Sequence, residues 1–133
     1  MKPGPLLFRI TGIDLGIQLL LGGLLTFGFI SPGAHIVNGF ILFFLAVATM
    51  IVWYVSKPAF RPLQVISTVI VLLLVLQIAL GFATLSTGSN ALAFAHFITA
   101  LAIFGATLSG TFMSMRWAHM SETSRDGSRA APA

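Results

Sequence analysis

Three of the four long apolar runs in this chain carry no Asp, Glu, Lys or Arg, and no water-soluble fold accommodates that. The runs cover residues 6–30, 34–55, 63–85 and 91–115, and only the first holds charge, at Arg9 and Asp14. A helix needs about 20 apolar residues to cross a bilayer core, so each run is long enough. The alternating pattern of a transmembrane barrel is absent. The expected fold is an all-α membrane protein, a four-transmembrane-helix bundle made of two repeated hairpins.

Composition agrees with this reading. The chain has 133 residues, enough for one domain. Hydrophobic residues make up 57% and charged residues 8%, against about a quarter charged in ordinary soluble domains. Such a chain has too few charges to cover a water-facing surface. The first run is too long for a cleavable signal and lacks a clear small-residue cleavage site, so none is expected. With no cysteine, disulfides, thiolate ligands and iron–sulfur clusters are excluded. The net charge of +4 sits at the edges of the spans, so nucleic acid is not an expected partner and the lipid bilayer is.

The basic residues set an expected orientation. Lys2 and Arg9 open the first span, Lys57 and Arg61 separate the second and third, and Arg116, Arg125 and Arg129 follow the fourth. All seven fall on one side, which the positive-inside rule makes cytoplasmic. Trp53, Tyr54 and Trp117 fall at that level as an aromatic belt. The expectation is a multi-pass plasma-membrane protein with both termini cytoplasmic. Pro58 and Pro62 bracket the inner turn. Residues 1–120 form the transmembrane domain, and 121–133 read as a flexible cytoplasmic tail.

The two hairpins repeat one another. Gln18 and Gly22 recur as Gln77 and Gly81, and Ala34-His35 recurs as Ala95-His96. The second loop is two residues longer than the first. His35 and His96 therefore open two parallel helices near the outer face. Counted back from Lys57 and Arg116, they differ in depth by two residues, about 3 Å at the helical rise. Two imidazoles at that level on non-adjacent helices can face each other across the bundle, where cofactors are held. They are read as axial ligands of a haem iron, since zinc or copper would lack a third and fourth ligand nearby. A lone histidine at such a position would instead meet headgroups or water. His119, beyond Arg116, is expected to be solvated.

Other residues are candidates for the same site. Gly22, Gly23, Gly28, Gly81 and Gly88 reduce bulk where a flat macrocycle would enter, or simply let helices pack. Asn38 and Thr99 lie one turn beyond each histidine on the same face, in reach for second-shell hydrogen bonds or for bonds between helices. Gln18 and Gln77 read as interhelical glue. Gly12-xxx-Gly16 and Ala102, Ala106, Gly110 read as packing faces. The helix openings with Ser31, Ser89 and Asn90 can meet haem propionates. Asp14 is either a coupling residue of a small transporter or, the favoured account, an interfacial ion pair with Arg9, Lys57 or Arg61.

The run from Leu76-Gln77-Ile78-Ala79-Leu80-Gly81-Phe82 through Ala95-His96-Phe97-Ile98-Thr99 resembles the haem A synthase family. There, a Q-x-x-x-G helix precedes a helix opening with a ligand histidine. The first hairpin matches through Gln18, Gly22 and His35, so the resemblance runs from about Ile17 to Gly110. It implies a half-length, four-helix relative of an eight-helix family, with b-type haem on His35 and His96. It also implies oxidation of the haem O methyl group to the formyl of haem A, with homo-oligomers restoring two haem sites. The alternatives are a b-type cytochrome doing electron transfer only, with a quinol or respiratory-complex partner, and a small transporter without cofactor.

Overall fold

The computed structural model describes the backbone of residues 3–56 and 60–129, with side chains up to Met120. Lys2, Lys57 and Pro58 lie outside the described residues. Among the described residues there are four helices and no strand: α1 (Pro3–Thr26), α2 (Pro32–Val55), α3 (Arg61–Thr87) and α4 (Asn90–Arg129). The apolar part of α4 covers Asn90–Met120, and all four helices are long and apolar enough to cross a membrane.

Local sequence explains the helix ends. α2 and α3 begin with proline in the first turn, where a missing N–H costs nothing. α1 and α3 stop at glycines in the left-handed region, Gly28 (φ 75°) and Gly88 (φ 64°). After α1, Phe29 N–H donates to the Leu24 carbonyl at 2.9 Å and Gly28 N–H to that of Leu25 at 3.0 Å, which is a Schellman ending. Gly28 and Gly88 are thus helix terminators. Ser89 Oγ accepts from Leu92 N–H at 3.4 Å and starts α4 as its N-cap.

The helices form a ring of antiparallel neighbours, α1 against α2 and α4, and α3 against α2 and α4. The pairs α1/α3 and α2/α4 are therefore diagonal. The buried residues follow a 4-3-4 spacing: Leu42, Ala46, Thr49 and Trp53 on α2, Leu63, Ser67, Ile70 and Leu74 on α3, and Ile103, Thr107, Gly110 and Ser114 on α4. A 3.5-residue seam of this kind packs helices at a shallow left-handed angle. Gly4, Phe8, Thr11 and Leu15 complete the ring on α1. Each of these four α1 positions has a buried α3 position 59 residues on, and each α2 position an α4 position 61 residues on; Pro5 is buried outside this pattern.

In lipid, helices gain little from hydrophobicity and associate through close packing and interhelical hydrogen bonds. The seam supplies both. Large residues of the first hairpin sit on small ones: a Cβ at Gly110 would lie 2.5 Å from Phe8, and one at Gly4 2.7 Å from Trp53. Trp53 also stacks edge-on with Trp117, ring centres 5.3 Å apart. Thr49 donates to the Leu45 carbonyl at 2.8 Å, so in the 3.0 Å contact between Thr11 and Thr49 the hydroxyl of Thr11 is the donor.

All of this burial lies in the half of the bundle that holds the chain termini. From Gln18 to the end of α1, from the start of α2 to Ile41, beyond Leu74 on α3 and before Ile103 on α4, no residue is fully buried. One half is tightly closed. The other, which contains both histidines, is loosely packed.

Candidate functional site

His35 stands seven residues before Leu42, and His96 seven before Ile103. Both therefore continue the buried seam by two helical turns, on diagonal helices and at one level. Counting from the charges at the far helix ends suggests a 3 Å offset, but the packed seam removes it. The two imidazoles are half-buried and face each other across the bundle, ring centres 6.2 Å apart and planes at 65°.

Each ring rests on the glycine of its own hairpin. A Cβ at Gly22 would meet His35 Cε1 at 3.2 Å and Nδ1 at 3.6 Å, and Gly81 stands in the same relation to His96 at the same two distances. The space these glycines leave is therefore occupied by imidazole. The Q-x-x-x-G pattern has a direct physical meaning here: its glycine sets how close the ring lies to the preceding helix.

The environments of the two rings then diverge. His96 Nδ1 lies 3.1 Å from the Gln77 carbonyl, so Nδ1 carries the proton and Nε2 keeps its lone pair. The Gln18 backbone is the corresponding partner of His35, yet His35 Nδ1 closes no hydrogen bond of ordinary geometry. Instead the Gln18 side chain engages α2: its Nε2 donates to the His35 carbonyl at 3.0 Å and lies 3.4 Å from His35 Nε2. Gln18 Oε1 accepts from Asn38 Nδ2 at 3.0 Å. Asp14, one turn before Gln18 on α1, lies beside Asn38, and its Oδ2 is buried without a hydrogen bond.

The remaining expectations separate cleanly. Gln18 is interhelical glue, as expected, and Gly12 packs against Thr107 and Thr111 of α4. Asn38 joins the network around His35, whereas Thr99 bonds the Ala95 carbonyl of its own helix at 2.8 Å and does not. Gln77 Oε1 is buried without a partner. Gly23 meets nothing within 4 Å. His119 is exposed at the opposite end of α4. Asp14 departs from the favoured account: among the described residues it lies beside Asn38 and meets no cation, because it stands at the middle of α1, more than a helical turn from Arg9. The Asp14–Asn38–Gln18 cluster was the element the sequence reading missed; the i, i+4 spacing of Asp14 and Gln18 was its available signal.

Among the described residues no group of three or more His, Cys, Asp or Glu side chains is placed to hold a metal ion. The pair of histidines could offer a metal two ligands at most. Such a set holds a metal firmly only when the remaining ligands arrive with it. No protein-family profile, curated protein or solved structure matches the chain.

Proposed function

We propose that the chain is a membrane haem-b protein whose iron is held axially by His35 and His96. One observation carries this reading, the 6.2 Å between the ring centres. Imidazoles brought this close on diagonal helices would be the residues to hold a haem iron, for which histidine is a common ligand. A porphyrin brings its own four equatorial nitrogens, which suits a two-point protein site.

The haem supplies a one-electron couple, and the chain's residues do the rest. Gln77 holds the His96 proton on Nδ1 and so directs Nε2 to the metal, a common support for ligating histidines. Gln18 fixes the start of α2 through the His35 carbonyl. Gly22 and Gly81 set the distance of each ring from the bundle axis. The unburied residues around the pair leave the loop half of the bundle free of the packing that closes the other half.

The resemblance to the haem A synthase family extends this to a reaction: oxidation of the haem O methyl group to the formyl of haem A, with those haems as substrate and product. A second reading is favoured by one observation. Neither loop-end turn carries an acid, whereas the haem A synthase family has one implicated in the chemistry. That reading is a b-type cytochrome passing electrons from a quinol or to a respiratory complex. In either case the basic residues favour cytoplasmic termini in the plasma membrane, and a homo-oligomer would bring two haems together.

Co-expression with a haem O producer, purification and pigment extraction test this. A Soret band with a reduced α-band is the expected result, and a protein that stays colourless after haem reconstitution refutes both readings. Haem A or an oxidised intermediate in the extract supports the synthase. Haem b alone, with rapid reduction by quinol, supports the cytochrome.

A further inference from the structure

The two hairpins repeat their histidine, glutamine and glycine but not their polar surroundings. Asp14 of α1 corresponds to Leu73 of α3, and Asn38 of α2 to Thr99 of α4. Only the first hairpin therefore sets a carboxyl beside its histidine: Asp14 lies one turn before Gln18, which accepts from Asn38 and donates to the His35 carbonyl. Nothing in the packing of the inner half requires an acid at this point. The second hairpin builds the same seam with leucine there.

We propose that Asp14 is a redox-linked proton-binding group. When one electron converts the iron from ferric to ferrous, the Asp14 carboxylate takes up one proton from solvent. The coupling is the electrostatic interaction between that carboxylate and the charge at the histidine pair. The inference rests on the haem reading above. The reductant is a quinol in the membrane or dithionite in the cuvette, and the charge brought by the electron is balanced by the proton.

The argument is electrostatic. Charges in an apolar interior interact far more strongly than in water, so an added electron at the histidine pair disfavours a second negative charge nearby. Asp14 has one carboxyl oxygen buried and without a hydrogen bond, so protonation there disrupts no existing bond. Competing groups are distant from it. On α2 no residue between His35 and Tyr54 titrates, and on α4 none between His96 and Arg116; α3 is not a neighbour of α1. What α4 presents to this part of α1 is Thr107 and Thr111. On α1 itself the nearest charge is the exposed Arg9.

The test is the haem midpoint potential of the full-length protein in phosphatidylcholine nanodiscs, measured as a function of pH. The expected wild-type potential falls as pH rises, over part of the range with a slope approaching about 59 mV per pH unit, the value for one proton per electron. Asp14→Asn is expected to keep its haem and its α-band while losing that slope, and Asp14→Glu to retain it. A slope that persists in Asp14→Asn assigns the proton to another group, such as a propionate, and overturns the inference. A flat wild-type potential overturns it as well, while the haem reading stands. A protein that binds no haem overturns both.

Discussion

His35 and His96 occupy the same seam position, seven residues ahead of Leu42 and Ile103, on diagonal helices whose backbones make no close approach. Their rings meet only because α1 and α3 hold the two helices apart by one bundle width. Each side chain is thus half of a site, and neither compensates for loss of the other. His35→Ala and His96→Ala are each expected to lose most of the bound haem, read by pyridine haemochrome absorbance per protein. His119→Ala is expected to retain it, because that residue is exposed at the other end of α4. Equal retention by all three variants would refute the ligand assignment.

The glycines beneath the rings give a prediction with a built-in control. Alanine is favoured over glycine inside a helix by about 1 kcal/mol, so an alanine with room to spare should stabilise. Gly23 has that room, and Gly23→Ala is expected to raise the thermal midpoint slightly. At Gly22 and Gly81 a methyl would press on imidazole Cε1 at 3.2 Å, and the ring must shift. Gly22→Ala and Gly81→Ala are expected to weaken haem binding by about 10–100-fold, the range for disturbed ligand support. Haem titration of the apoprotein measures it.

The part of this architecture legible in the sequence was the part that depends on composition and spacing. Four long apolar runs without strand alternation announce four helices, because helices then satisfy the backbone polar groups in lipid. The histidine pair was legible because Gln18, Gly22 and His35 recur as Gln77, Gly81 and His96. What spacing could not reveal was where side chains point. Gly28 and Gly88 end helices in the left-handed region, a role that spacing does not show, since positive φ has no sequence marker beyond glycine itself. Asp14 looked interfacial because it was counted from the charged start of the chain; the helix begins at Pro3, which carries Asp14 to mid-span and to Asn38. Asn38 and Thr99 are equivalent by position, but a threonine hydroxyl bonds back to its own helix while an asparagine amide reaches the next one.

Phe8 and Gly110 make the tightest complementary pair of the closed half. A methyl at Gly110 would stand 2.5 Å from the Phe8 ring, and Phe8 is 1% exposed, so the ring has no open side to move into. Gly110→Ala is expected to destabilise the bundle by about 1–3 kcal/mol, the cost of overpacking, despite its helix-propensity gain. Phe8→Leu introduced together with Gly110→Ala should recover part of that loss. A double-mutant cycle on denaturant unfolding in detergent measures the coupling, and additive single effects would show that the two residues do not compete for the same space.

Thr11 tests how much a hydroxyl contributes in the same region. Its Oγ1 donates to Thr49 at 3.0 Å, while Thr49 has a second partner in the Leu45 carbonyl. Removing the Thr11 hydroxyl therefore leaves Thr49 bonded and strands no donor. Interhelical side-chain hydrogen bonds in membranes average about 0.6 kcal/mol, with a maximum near 1.7. Thr11→Val keeps the shape of the side chain and should cost about that average, well below Gly110→Ala in the same unfolding assay. Thr49→Val is expected to cost more than Thr11→Val, since it removes the acceptor of one bond and the donor of another and leaves the Thr11 hydroxyl to seek a carbonyl of its own helix. A larger loss from Thr11→Val than from Thr49→Val would reverse the donor assignment.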